Sequence, residues 1–363
     1  MKLNNLKLTN FRNYSNLEIN FPANLNFIYG NNGSGKTNLV EAIYILSLTK
    51  SFRINNDKYL IKKGCEKAQI DGEILNRKLV TSYKVIINKD GKKVLIDHNK
   101  VDKISEYVSR IAIVLFNPRD IELINAAPNE RRKLINIEIS QLYREYLIIL
   151  SNYNKVLKQR NAYLKQMYLN GNERNEYLDI LTSKLVSLGK SIYKYRKDYI
   201  ENINKYVGDI YEKIFMSGKL KIRYISSFSK TEEEIFDNFK KLYVKELEFG
   251  KTLMGIHHDD IEFLLDSNKL KEFGSEGQLK NAILSFKLAE IELIKEKKDD
   301  YPILILDDLF SELDSLKIIN ILNMLNNEVQ TFITLTNIEL VPKEILKISK
   351  IYEVISSEIK ERN

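Results

Sequence analysis

Residues 30–37 read Gly30-Asn31-Asn32-Gly33-Ser34-Gly35-Lys36-Thr37. This is the pattern G-x-x-x-x-G-K-T. Leu25-Asn26-Phe27-Ile28-Tyr29 precede it as a short apolar strand, and Asn38-Leu39-Val40-Glu41-Ala42-Ile43-Tyr44-Ile45-Leu46 follow with helical periodicity. A strand, a glycine loop and a helix in that order form a phosphate cradle. The glycines let successive backbone N–H groups turn toward one point, and the helix start adds its partial positive charge. Gly30, Asn31, Asn32, Gly33, Ser34, Gly35, Lys36, Thr37 and Asn38 are therefore expected at a nucleotide. Lys36 is expected to reach the β/γ-phosphates, and Thr37 to offer a hydroxyl to Mg²⁺. Further upstream, Lys2-Leu3, Leu6-Lys7-Leu8 and Leu17–Phe21 alternate as paired strands. An α/β head with a mixed or parallel β-sheet is the fold these elements predict.

Such a loop needs a carboxylate for its metal. Tyr301-Pro302-Ile303-Leu304-Ile305-Leu306-Asp307-Asp308 supplies one, as a buried parallel strand ending in two acids. Asp307 is expected at Mg²⁺, and Asp308 to orient or deprotonate the attacking water. Asp307 lies 271 residues after Lys36, too far for one compact loop-to-strand domain, so a large insert is expected between them. Shortly before the acidic strand, Phe273-Gly274-Ser275-Glu276-Gly277-Gln278 opens a helix. By itself Ser-x-Gly-Gln is most simply a helix cap; its place before Asp307 makes it a second anion-binding helix start.

The 363 residues carry 57 Lys/Arg and 49 Asp/Glu, a net charge of +8. Residues 131–220 alone hold 17 basic and 9 acidic residues, so the surplus falls in one quarter of the chain. Within that window, Leu142, Tyr146, Ile149, Tyr153, Val156, Tyr163 and Met167 recur at 4-3-4-3 spacing, interrupted by Arg160. Leu178, Leu181, Leu185, Leu188, Ile192, Tyr195 and Tyr199 repeat it after Asn170-Gly171-Asn172. This predicts an antiparallel helical hairpin. The expected division is 1–125 and 221–363 for the two parts of the head, and 126–220 for an inserted basic lobe. One cysteine, Cys65, excludes an internal disulfide and a cysteine zinc site. No apolar run approaches a membrane span, and Met1-Lys2-Leu3-Asn4-Asn5-Leu6 has no signal-peptide block, so a cytoplasmic protein is expected.

The order of phosphate loop, S-x-G-Q, acidic strand and Ser311-Glu312-Leu313-Asp314 resembles the ABC-type ATPase heads. Several segments narrow the match to the bacterial RecF family of recombination mediators. They are Thr9-Asn10-Phe11-Arg12-Asn13-Tyr14, Lys50-Ser51-Phe52-Arg53, Phe116-Asn117-Pro118-Arg119-Asp120, Pro128-Asn129-Glu130-Arg131-Arg132 and Gly255-Ile256-His257-His258-Asp259-Asp260. The resemblance covers essentially the whole chain. It implies an ATP-dependent homodimer with each ATP between one subunit's phosphate loop and its partner's Ser275, Gly277 and Gln278, with Asp314 at the same interface. It also implies DNA binding, action with RecO and RecR at gapped DNA to load RecA, and slow Mg-ATP hydrolysis as a switch. By analogy with SMC-type heads, Arg12 is a candidate phosphate contact. Two departures from the general ABC pattern fit slow hydrolysis: Asp308 stands for the usual Glu, and no switch His lies near Gln330–Asn337, where Thr336 is the candidate substitute.

Candidate DNA contacts are Arg53, Arg131, Arg132, Lys194, Arg196 and Lys197. Ion pairs within the protein are the competing reading for Arg53, Arg131 and Arg132, and a solvated face for the lobe charges. His257 and His258, read as strand neighbours, would point to opposite faces and so not clamp one metal. A generic ABC-type ATPase subunit not acting on DNA, and a scaffold with a relic loop, are the alternatives.

Overall fold

The structure, a computed structural model, describes residues 1–170, 174–216, 218–310, 315–325 and 328–362. In chain order the strands and helices begin with β1 (Lys2–Phe11), β2 (Tyr14–Asn20), β3 (Leu25–Tyr29), α1 (Lys36–Leu48), β4 (Lys67–Asn76), β5 (Leu79–Asn88), β6 (Gly91–Ile96), β7 (Asn99–Lys100), α2 (Ile104–Val108) and β8 (Ile113–Phe116). They continue through α3 (Pro128–Leu142), α4 (Arg144–Asn170), α5 (Glu176–Ile203), α6 (Val207–Phe215), β9 (Leu220–Ile225), α7 (Glu232–Phe249), β10 (Asp260–Leu265), β11 (Asn268–Lys269) and α8 (Leu270–Phe273). Last come α9 (Glu276–Lys298), β12 (Ile303–Asp307), α10 (Ser315–Met324), β13 (Thr331–Leu335), α11 (Lys343–Leu346), β14 (Lys350–Ile355) and β15 (Glu358–Arg362).

These elements form two compact units. The first comprises residues 1–121, 209–217 and 283–363. It holds an antiparallel sheet in the order β2-β1-β4-β5-β6-β7 and a second sheet in the order β15-β14-β3-β13-β12-β8. The second sheet is parallel except for the β14–β15 hairpin. Its central strands β12 and β13 are buried at every position, as strands covered on both faces must be. Helix α1 packs against strands of both sheets. Its sequence is apolar nearly all round, and it is buried all round, which suits a helix enclosed by two layers. The α/β head expected from the sequence is therefore observed.

The second unit comprises residues 122–208 and 218–282. Helices α4 and α5 form the expected hairpin, with α7 packed against both and α3 alongside. A three-stranded antiparallel sheet, β11-β10-β9, completes it. The lobe boundaries read from the sequence, 126 and 220, are thus corrected. The lobe ends at Ala282, and residues 209–217 belong to the first unit. Periodicity located the two long helices but carried no sign that β9–β11 and α7 pack with them.

That correction alters the charge partition. With its observed boundaries the helical unit holds 26 basic and 21 acidic residues, and the remainder of the chain keeps a small surplus. The acids of α7 had been counted with the head. The turn at Gly171-Asn172 lies outside the described residues. No helix among the described residues is long and apolar enough to cross a membrane.

Candidate functional site

The loop of residues 30–37 leaves β3 and enters α1, as its sequence requires. Gly30 has φ +153°, and a Cβ there would lie 2.3 Å from the carbonyl oxygen of Val354 in β14. Gly35 has φ +121°, and its Cβ would meet Asn13 Nδ2 and the Tyr14 hydroxyl, each at 2.9 Å. Glycine is needed here for both conformation and space. Tyr14 donates its hydroxyl to Gly35 O (3.1 Å), and Ser357 N–H donates to Ser34 O (3.0 Å). The β1–β2 turn and the β14–β15 turn therefore brace the loop from two sides.

The start of α1 has no side-chain cap and no acid in its first turn. Its N–H groups and positive dipole end remain available to an anion. Lys36 is buried, and its ammonium donates to Gly30 O (2.7 Å) and Asn31 O (3.0 Å). Burial holds its pKa below the usual lysine range, and Asp308 and Asp307 pull it partly back up. The loop thus keeps its own cation in place.

Asp307 ends β12. Its Oδ1 accepts the Thr37 hydroxyl at 3.2 Å and the Thr334 hydroxyl at 2.7 Å. Burial raises its pKa, opposed by those two hydrogen bonds; Asp308 adds to the rise, and the charge of Arg53 counters it. A carboxylate desolvated in this way gains when a cation arrives. Asp308 takes a left-handed conformation, φ 53°, which a non-glycine residue adopts at some cost. Its N–H donates to Thr334 Oγ1 (2.9 Å). Thr334 therefore links both aspartates from the middle of β13. The sequence reading weighed Thr336, which stands exposed beyond the strand, and missed Thr334. A hydroxyl inside an apolar parallel strand is the signal that marks it.

Arg12 is engaged by a partner the sequence did not suggest. Its Nε and Nη2 donate to the two carboxylate oxygens of Glu41 at 2.8 and 2.7 Å, and Nη1 donates to Tyr59 O (3.1 Å). Arg53 lies 3.7 Å from the same carboxylate and donates to Asn38 Oδ1 at 2.8 Å.

Two of the proposed DNA contacts, Arg131 and Arg196, are corrected, and a third, Arg132, is engaged within the lobe. Arg131 is buried and forms a two-pronged pair with Asp260 at 2.7 and 2.8 Å. Arg196 is 2% exposed and bonds Asp259 Oδ2 (2.8 Å), Ile256 O (2.7 Å), Asn136 Oδ1 (3.0 Å) and the Tyr146 hydroxyl (3.2 Å). Arg132 donates to Asp259 O (2.7 Å). The Arg131 and Arg196 guanidiniums neutralise acids inside the lobe, while Arg132 is half-buried. Lys194 and Lys197 are exposed. His257 and His258 form a short 3₁₀ turn, not a strand. His257 Nδ1 pairs with the Tyr153 hydroxyl (2.8 Å), and burial lowers the ring's pKa to about 4. Among the described residues no His, Cys, Asp and Glu cluster is arranged to hold a metal.

At the second anion-binding candidate, Ser275 N–H donates to Gln278 Oε1 (2.9 Å) and Gln278 N–H donates to Ser275 Oγ (3.3 Å). This reciprocal cap is the local job of Ser275 and Gln278. Gly277 is different: a Cβ there would meet nothing within 4 Å. Asp314 lies outside the described residues.

Residues 2–360 match the family model described as RecF/RecN/SMC N terminal domain. The chain is 39% identical to the "DNA replication and repair protein RecF" of Oenococcus oeni, covering 98% of both proteins. It is equally similar to the protein of that name from Geobacillus sp. strain WCH70, covering 99% of this chain and 98% of the relative. Among solved structures it resembles the recombination mediator protein RecF with bound ATP in the RecFOR pathway. The TM-score is 0.91 at 29% identity, over 99% of this chain and 97% of the other. An SMC head bound to the C-terminal winged-helix domain of ScpA shares the fold, with a TM-score of 0.57 at 16% identity over 99% and 96%. A phosphate loop, a strand that ends in two aspartates and an ABC-type head, matched along nearly the whole length, place this chain in the RecF family.

Proposed function

We propose that this protein is a Mg-ATP-dependent DNA-binding homodimer of recombinational repair and replication restart. The observation that carries the reading is the phosphate cradle with its desolvated aspartate. An uncapped helix start, a lysine held on loop carbonyls and the Thr37–Asp307 contact suit a nucleoside triphosphate and a divalent cation. Gly30, Asn31, Asn32, Gly33, Ser34, Gly35 and Lys36 would hold the phosphates. Thr37 and Asp307 would hold Mg²⁺, which when bound polarises the terminal phosphate. Asp308 would orient the attacking water. Its carboxylate is one methylene shorter than glutamate and sits on a strained backbone, features that favour slow turnover.

Gly277 supports association of two copies. Glycine near a helix start costs stability relative to alanine, on the order of 1 kcal/mol. No described residue demands it, since among them a Cβ would meet nothing within 4 Å. A close approach from outside would explain it, with Ser275, Gly277, Gln278 and Asp314 closing on a partner's nucleotide. Light scattering tests this. The wild type should be monomeric without nucleotide and dimeric with a non-hydrolysable ATP analogue, while Gly277→Arg binds the analogue and stays monomeric. A dimer that forms without nucleotide, or an ATP-bound wild-type monomer, would sink the clamp reading.

The partners carried over from the family are DNA, RecO and RecR, with RecA loading as the outcome and a cytoplasmic setting. The lobe's exposed Lys194 and Lys197 are the DNA candidates its surface retains, joined by Arg53 on the head. Lys194→Glu with Lys197→Glu should weaken DNA binding about tenfold and flatten the salt dependence by about two phosphate contacts. ATP affinity should not change. Equal DNA affinity in a salt titration would mark the lobe charges as a solvated face.

A further inference from the structure

We infer that Glu41 is a positioning residue for the metal end of the phosphate site, acting through Arg12 and Arg53; the inference rests on the ATPase reading above. Glu41 lies on α1, one turn beyond Thr37, and its side chain is completely buried. A buried carboxylate is costly unless it is paired and hydrogen-bonded. This one has partners on every side. Arg12 grips both oxygens, Ser51 donates its hydroxyl to Oε1 at 2.5 Å, and Arg53 stands 3.7 Å from Oε2.

The contacts close into a ring. Arg53 donates to Asn38 Oδ1, and Asn38 Nδ2 donates to Asn13 Oδ1 at 2.7 Å. Asn13 adjoins Arg12, which returns to Glu41. The ring therefore includes Asn38, the residue directly after Thr37. Two guanidiniums share one carboxylate, which leaves a net charge of +1. Arg12 is largely consumed by Glu41 and Tyr59 O. Arg53 is 37% exposed and bonds Asn38, whose chain neighbour Thr37 meets Asp307. The surplus positive charge is thus tied to Asn38, next in the chain to the Thr37 that would hold the cation.

A fixed cation beside the place where charge shifts during phosphoryl transfer stabilises the transition state more than the bound ground state. The amides of residues 30–37 and Lys36 would supply ground-state binding, and none of these residues is a member of the ring. Glu41 touches neither nucleotide nor metal in this scheme. It keeps the Arg53 guanidinium in place.

Steady-state ATP hydrolysis by the full-length protein tests this with Glu41→Gln, Arg53→Gln and their combination. Glu41→Gln should lower kcat about tenfold while KM for ATP stays within about twofold. The combined variant should be no slower than Arg53→Gln alone. Glu41→Gln leaves Arg12 buried without a counter-charge, so Glu41→Gln with Arg12→Gln provides a stable check. Its melting temperature should recover while kcat stays low. An active wild type with kcat unchanged in the variants, or with independent effects of Glu41 and Arg53, would overturn this inference alone. A wild type that neither binds nor hydrolyses Mg-ATP would overturn the ATPase reading and this inference together.

Discussion

Asp307→Asn lowers ATP hydrolysis by at least about a hundredfold while leaving nucleotide binding within a few-fold of wild type. The asymmetry follows from where the residue sits. The phosphates would be met by the loop amides and Lys36, none of which hydrogen-bonds Asp307. Asp307 instead gathers the Thr37 and Thr334 hydroxyls on one oxygen. Asparagine keeps the shape and an oxygen that accepts both, so the fold of β12 and β13 persists. What disappears is the negative charge that burial has made expensive and a divalent cation would compensate. Turnover with Mg²⁺, set against binding of a fluorescent ATP analogue, checks the prediction. Wild-type turnover in the variant would remove Asp307 from the cation's shell.

The second large effect is on stability. Arg196→Ala is expected to cost about 3–5 kcal/mol in the helical unit, the usual result of removing one member of a buried, hydrogen-bonded ion pair. Asp259 keeps the Tyr224 hydroxyl but loses its buried guanidinium partner, and the Ile256 and Asn136 oxygens each lose one donor, keeping the Asp259 N–H and the Tyr146 hydroxyl. Burial already raises the Asp259 pKa against the pull of Arg196, so the uncompensated acid would take up a proton or draw in water. Denaturant titration monitored at the lobe's tyrosines measures the loss. A change under about 1 kcal/mol would show that Arg196 is a surface charge after all. The same reasoning warns against Arg196 in any test of DNA binding: its loss would weaken binding by loosening the lobe, which is why Lys194 and Lys197 carry that test.

Arg160 and Arg196 show how the sequence both informs and misleads. The seam in α4 was legible from its 4-3-4-3 spacing, because one face of a helix must meet a core. Arg160 looked like a break in that seam. It is fully buried, donating to Glu246 (2.7 Å), Thr182 (3.0 Å) and Thr252 (2.8 Å). Its partners lie 22 to 92 residues away along the chain, and no local pattern announces them. A run of basic residues likewise does not reveal which cations are already spent on buried acids. The +8 of the chain therefore described a net balance, and the structure shows that three of the lobe's arginines, Arg131, Arg160 and Arg196, are committed inside it.

By itself, the sequence determined the phosphate loop, the acidic strand, the hairpin helices and the α/β class. Each is a short-range matter: glycine conformation, strand burial and helical periodicity act within a few residues. Tertiary structure alone decided that Thr334 joins the two aspartates, that Glu41 binds two arginines, that Gly277 faces open space and that the lobe runs to Ala282. Those outcomes depend on which distant side chains share a small volume once the layers pack. Burial changes the energy of every charge brought there, and burial is a property of the folded chain.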